Sequence, residues 1–291
     1  MNGMYMRFPG GKEKAFTLSY DDGVYQDRRL LDVVRAHDLK CSFYLNSGRF
    51  SINGKKFAPD EHQKMSRDDA REFYGDSGME VGMHGLTHAM YEALPDNLCI
   101  EEIARDRANL EGLFDRLVRG MAYPSGSVTQ SAVAAARMCG ILYARTVQST
   151  HTFELPPDWL RLNPTCHHTE PELMDLAEQF LAAQQPHNPL MFYVWGHAWE
   201  YEEQNNWDIL ERLCDAVAGR DEIWYATSAE IASYATAFKR LEFSMDRTIV
   251  RNPTSYELWF HVDGHVYGVK AGQTLRLAHP YASLEALGRG E

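Results

Sequence analysis

The chain has 291 residues, a formal charge of -12 and five cysteines with no CxxC pair. That length buries a large core without covalent staples, and an odd number of cysteines with no CxxC pair suggests neither a disulfide framework nor a cysteine zinc site, so the thiols fit a reducing compartment. Acidic residues are scattered, as from Glu101 to Asp115, giving a surface that repels phosphate backbones and anionic lipids and argues against a nucleic-acid partner.

The opening segment MNGMYMRFPGGKEKAFTLSY has no continuous apolar run followed by a small-residue cleavage site. No later stretch reaches membrane-spanning length, so the expectation is a cytoplasmic protein without membrane insertion. From here short apolar runs alternate with helical patterns. AFTLSY is followed by QDRRLLDVVRAHD, CSFYL by a polar loop and SRDDAREFYGDSG, and MEVGMH by PDNLCIEEIARDRANLEGLFDRLV. RGMAYP precedes the helix TQSAVAAARMCG, closed by Gly140. Then come the strand ILYART, a loop, the helix PELMDLAEQFLAAQQ, the strand LMFYVWG, the helix NWDILERLCDAVAG, the strand EIWYAT and the helix SAEIASYATAFK.

Such alternation predicts parallel strands covered by helices, hence an α/β barrel or an open doubly wound sheet. Asp96, Thr129 and Ser228 are the expected helix caps. After about Lys239 the pattern turns to strand-like alternation broken by turn signals, and Asp263-Gly264 marks a hairpin. The expected division is therefore a barrel over residues 1–239 and a small β appendage over 240–291.

Three clusters fall where parallel strands end, the place where α/β folds put their reactive groups. Ser19-Tyr20-Asp21-Asp22-Gly23 carries two adjacent carboxylates, costly to bury together without a compensating cation or proton. Asp-Gly is also ordinary turn chemistry. His84-Gly85-Leu86-Thr87-His88 spaces two imidazoles four apart, which on a helical turn would share one metal ion. An Asp and two His complete a two-nitrogen, one-oxygen donor set with open positions, the composition of a catalytic metal site. In the third cluster, Trp195-Gly196-His197-Ala198-Trp199-Glu200, His197 is a candidate proton donor, while Trp195 and Trp199 are candidate walls or sugar-stacking faces.

These clusters, in this order, resemble the signature motifs of the polysaccharide deacetylase family, carbohydrate esterase family four, also called the NodB-homology domain. SYDDG is similar to that family's TFDDG, HGLTH to its HSxxH, and the strand ending at His197 to its late histidine motif. The resemblance implies a distorted, incomplete (β/α) barrel and removal of acetyl groups, as amide or ester, from a carbohydrate substrate. It implies Asp21 as general base, His197 as general acid, and Asp22, His84 and His88 as ligands of a divalent metal. Zinc suits those ligands, with cobalt, nickel or manganese as alternatives.

Met121 to Gly126 is similar to the family's RPPYG motif, but Ala122 stands where the arginine is expected. Arg145, on the next strand, is the candidate replacement. Tyr123, Pro124 and Ser125 then form the substrate and oxyanion turn, with a backbone N–H near Ser125 as donor. The family's Asp-Trp pair, which supports the acid histidine, matches Asp158-Trp159, and Glu200 competes with Asp158 for that part. His167 or His168, in the loop NPTCHHT, could also line the cleft, though two exposed loop histidines need no function. Two other readings stay open: an iron oxygenase, whose facial triad uses the same residue types, and a non-catalytic carbohydrate-binding protein.

Overall fold

The computed structural model describes residues 4–52, 54–55, 62–184, 187–262 and 264–277. Its elements follow the chain as β1 (Met4–Arg7), β2 (Lys14–Asp21), α1 (Asp27–Ala36), β3 (Cys41–Leu45), α2 (Arg67–Gly75), β4 (Glu80–Met83), α3 (Asp96–Phe114), β5 (Gly120–Ala122), α4 (Gln130–Met138), β6 (Tyr143–Arg145), β7 (Cys166–His167), α5 (Leu173–Ala182), β8 (Leu190–Gly196), α6 (Ala198–Gln204), α7 (Trp207–Val217), β9 (Ile223–Tyr225) and α8 (Ser228–Phe238). Three of these, β1, β7 and α6, have no counterpart in the pattern of the sequence. The expected helix PELMDLAEQFLAAQQ stops at Ala182, and Gln185 lies outside the described residues.

Strands β2 to β9 form one curled, parallel sheet in the order β6-β5-β4-β3-β2-β8-β7, with β9 also paired to β2. All eight residues of β2 are buried, as expected for a strand covered on both faces. Its pairing explains why the barrel is distorted. One edge pairs with β8 from Lys14 to Tyr20, while the other is divided between β9 at Lys14–Phe16 and β3 at Leu18–Asp21.

Alternation along β2 separates two cores. Phe16, Leu18 and Tyr20 join the layer beneath the helices, whereas Ala15 lies with Tyr44, Ala122, Tyr143 and Tyr193 in the barrel interior. There the Tyr44 hydroxyl lies 2.8 Å from that of Tyr143 and 3.2 Å from that of Tyr193, and Tyr143 donates to Glu80. A packed, hydrogen-bonded plug thus fills the interior.

Of the expected caps, Thr129 accepts from the Ala132 N–H, as its position predicts. The last helix is instead capped by Thr227, in a reciprocal pair with Glu230, and Ser228 is its first residue. Asp96 makes no capping bond; it begins α3 directly after Pro95. Its charge still suits a helix N-terminus.

Beyond α8, strands β10 (Glu242–Phe243), β11 (Ile249–Arg251), β12 (Leu258–Val262), β13 (His265–Val269) and β14 (Thr274–Arg276) form two small antiparallel sheets. Strands β12 and β13 are paired as a hairpin; Asp263 of its turn lies outside the described residues. The other edge of β12 pairs with β1, Met4 opposite Val262 and Arg7 opposite Trp259. Tyr234 of α8 ties these parts together, donating to the Arg7 carbonyl and accepting from the Trp259 N–H. Among the described residues no helix is long and apolar enough to cross a membrane.

Candidate active site

The carboxyl ends of β2, β4, β5, β6, β7 and β8 meet at one rim. Strict alternation would send Asp21 and Asp22 to opposite faces, but Asp22 has a φ of 83°. The turn brings both carboxylates to 4.0 Å from His197 Nε2. His88 and Ser125 also have positive φ, at 61° and 51°. Such strain at three adjacent points of one rim is characteristic of functional sites.

HGLTH forms an irregular loop, and not the helical turn that its spacing suggested. Gly85, with φ 76°, reverses the chain. The buried Asn46 side chain holds the loop by donating to the carbonyls of His84 and Gly85. Asp22, His84 and His88 then offer ligand atoms within 4.8 Å of one another.

Protonation suits a cation. His84 Nδ1 lies 2.9 Å from the Ala122 carbonyl, a pure acceptor, so Nδ1 carries the proton and the Nε2 lone pair is available. Burial pushes the His84 imidazole down to about 4, and burial likewise lowers His88. Both are neutral, as ligands must be, near neutral pH. Burial alone would raise the Asp22 carboxyl, but the Lys64 ammonium holds it well below the usual carboxylate range. This is a donor set that fits a divalent ion.

Lys64 itself was not singled out in the sequence. It is buried, and Nζ lies 2.9 Å from Asp22 Oδ1 and 3.1 Å from Asn46 Oδ1. A lysine in a polar loop gives no signal that it will close over a strand end thirty or more residues away.

Arg145 is fully buried and Nη2 donates to Asp21 Oδ2. In register, Arg145 lies opposite Ala122, so the guanidinium stands one strand over from the position where the motif places it. Its carbon lies 4.2 Å above the centre of the Trp195 ring, a cation–π contact that helps seat it. Although burial disfavours the charge, Arg145, His84 and His197 hold the Asp21 carboxyl below its ordinary value. Asp21 Oδ1 has no hydrogen-bond partner among the described residues, which leaves a buried acceptor facing the rim chemistry.

On the turn after β5, Tyr123 is buried, its hydroxyl donating to the Leu160 carbonyl and its N–H to the Arg145 carbonyl. Pro124 has no N–H and Gly126 donates to Tyr123. Ser125, the exposed residue of the turn, is therefore the one whose N–H makes no hydrogen bond among the described residues.

Trp195 is only 8% exposed, with Arg145 over one face and the edge of His167 against it. It presents no open face to a sugar. Trp199 stacks on His62 with ring centres 3.7 Å apart and donates to Asp22 Oδ2 at 3.4 Å. It is a wall of the site, and one face is already covered.

Asp158 is not brought to His197. Its carboxylate accepts from the Leu160 N–H and from Arg161, the ordinary work of a short-turn cap. Glu200 stands beside His197 instead, Oε2 lying 3.2 Å from Nδ1 and accepting the His197 N–H at 3.0 Å. The helix α6 that begins after His197 makes this possible, since its first turn folds Glu200 back. His167 ends β7, and His168 is 1% exposed; of the two readings of these histidines, the exposed-loop one does not hold for His168, and both rings lie against Glu200 at the rim.

Residues 9–144 match the family model described as polysaccharide deacetylase, and the family recognised in the motifs is thus the one this stretch of chain matches. His197 and Glu200 lie beyond the match. A comparison with curated proteins finds none that matches by sequence. Among solved structures, a Mycobacterium smegmatis protein assigned as a polysaccharide deacetylase is similar with TM-score 0.55 at 16% identity, over 80% of this chain and 93% of that one. The Xyl-CE4 domain of a multidomain xylanase from the hindgut metagenome of Trinervitermes trinervoides gives TM-score 0.52 at 15% identity, over 77% and 92%. A Streptococcus pyogenes deacetylase in complex with acetate gives 0.44 at 16% identity; the match covers 50% of this chain and 61% of that one. At these identities the likeness is one of fold, and the fold is the distorted, incomplete (β/α) barrel.

Proposed function

We propose that the chain is a metal-dependent hydrolase that removes acetyl groups from a carbohydrate. The observation that carries this reading is the convergence of three functions on one rim: the donor set Asp22, His84 and His88, the ionised, guanidinium-paired Asp21, and His197 within 4.0 Å of both carboxylates. An oxygenase needs only the first. The five free thiols, four of them buried, support the cytoplasmic expectation.

Asp22, His84 and His88 would hold the ion, zinc best matching two nitrogens and one oxygen. A divalent ion bound there lowers the pKa of water and polarises the acetyl carbonyl. Asp21, kept ionised by Arg145, accepts the proton of the attacking water. The Ser125 N–H faces the developing oxyanion. His197 protonates the departing amine or hydroxyl, and Glu200 sets its tautomer by accepting from Nδ1.

The test is metal analysis coupled to acetate release from acetylated chitin, peptidoglycan and xylan fragments. Metal-loaded protein that binds these glycans without releasing acetate would overturn the enzymatic reading. Asp22→Ala and His88→Ala are each expected to bind one ion fewer per chain than wild type and to lose the activity with it; a metal stoichiometry unchanged from wild type in both variants would dismiss the assigned ligands.

A pH dependence follows from His197. Burial lowers its pKa, but Glu200 first, then Asp21 and Asp22, raise it above the ordinary imidazole value. The acid therefore stays protonated further into the alkaline range, and the rate falls as pH rises through that elevated value. Glu200→Gln removes the first of the raising groups and is expected to move the alkaline limb of kcat/KM to lower pH. An unmoved limb would show that Glu200 does not act on the acid.

Lys64 competes with the ion for Asp22. Lys64→Ala leaves the Asp22 carboxylate without its cationic partner in the ion-free protein, so ion-free protein should melt lower while metal affinity rises, by on the order of tenfold, about 1.4 kcal/mol. Equal or weaker affinity by calorimetry would refute this.

A further inference from the structure

Glu200 is the centre of a cluster larger than its partnership with His197 requires. His167 Nε2 lies 3.2 Å, His168 Nε2 3.1 Å and His197 Nδ1 3.2 Å from the same oxygen, Oε2, which also accepts the His197 N–H at 3.0 Å. Four nitrogens exceed what the lone pairs of one carboxylate oxygen can satisfy. The excess shows in His168, which is 1% exposed and whose two ring nitrogens make no hydrogen bond among the described residues.

This crowding is built into the backbone. A Cβ at Gly196 would lie 2.1 Å from His168 Nδ1, so glycine at the end of β8 is what lets that ring lie against the strand. His167, His197 and Glu200 present ligand atoms within 4.8 Å of one another. Zinc–nitrogen bonds of about 2.0 Å in a tetrahedron place neighbouring ligand atoms roughly 3.2–3.4 Å apart. The separations around Oε2 are therefore those of a ligand shell as much as of hydrogen bonds.

We propose that His167, His197 and Glu200, with His168 as an adjacent fourth donor, form a second divalent-cation site, distinct from Asp22, His84 and His88, and that filling it inhibits the enzyme. An ion there takes the His197 Nδ1 lone pair and the Glu200 oxygen that orients it, so His197 can no longer be held as the acid. The inhibition rests on the hydrolase reading above. The binding does not.

The experiment is a Zn²⁺ titration of the full chain by calorimetry, with elemental analysis after desalting and acetate release measured in parallel. Wild type is expected to bind two ions, with acetate release rising over the first equivalent and falling over the second. Asp22→Ala should keep one ion. His167→Ala and His167→Gln should each keep one and lose the falling phase. His151→Ala, in the separate exposed group His151, Glu170 and Glu172, should keep two. A second equivalent that survives both His167 variants, or that vanishes in His151→Ala, overturns the site. So does a single wild-type ion lost in Asp22→Ala. A single ion that persists in Asp22→Ala and disappears in His167→Ala upholds this site and defeats the first one. No bound zinc at all defeats both.

Discussion

Replacing Arg145 by alanine is expected to be among the most damaging single changes in the protein. Both members of the Arg145–Asp21 pair are buried, at 0% and 2% side-chain exposure. Removing one partner of such a pair costs about 3–5 kcal/mol, because the other charge is left uncompensated. For a chain of this size that is a melting decrease on the order of 10 °C. Asp21 would answer by taking up a proton. In wild type its carboxyl is depressed, so the stabilisation it provides is present above the ordinary carboxylate pKa and lost as pH falls through the lower folded value. Without Arg145, burial dominates and the carboxyl rises toward neutrality. The variant should therefore lose both stability and its base near pH 7. Adding Asp21→Asn to Arg145→Ala should recover much of the stability and none of the rate. Thermal unfolding and acetate release of the single and double variants check this, and an Arg145→Ala protein that melts and turns over like wild type would refute it.

Asp21→Asn alone should reduce kcat by about a hundredfold or more, the scale typical of acid and base groups, while metal stoichiometry stays at the wild-type value. The amide oxygen can still accept from Arg145, so the guanidinium keeps a partner, and what disappears is the proton acceptor. Near wild-type turnover would reject Asp21 as the base. A matched loss of metal would instead show that Asp21 belongs to the ligand set.

Much of this arrangement was readable from residue order. Strand ends in a parallel α/β fold are where reactive groups gather, and the runs AFTLSY, MEVGM and LMFYVWG announce three of those ends. Arg145 could be nominated because adjacent parallel strands open on the same rim, although only the register shows it opposite Ala122. What was not readable depends on backbone conformation or on distant segments. The spacing of HGLTH imitates a helical turn, yet positive φ at Gly85 and His88 makes it a loop. The histidines of NPTCHHT resembled exposed loop residues because a two-residue strand leaves no periodic pattern. Asp158 carried the expected dipeptide but serves a local turn, whereas the carboxylate that lies against the His197 ring is that of Glu200, one helical turn after it.

The partnership of β1 with β12 bears on how this protein can be cut. Ending the polypeptide after Lys239 would remove the hairpin while leaving Met4–Arg7 with a bare row of amides and carbonyls. Open edges of that sort invite self-association between copies. Anyone wishing to isolate the barrel should expect better behaviour from a fragment that also gives up its first strand, and dispersity in light scattering would distinguish the two trimmings.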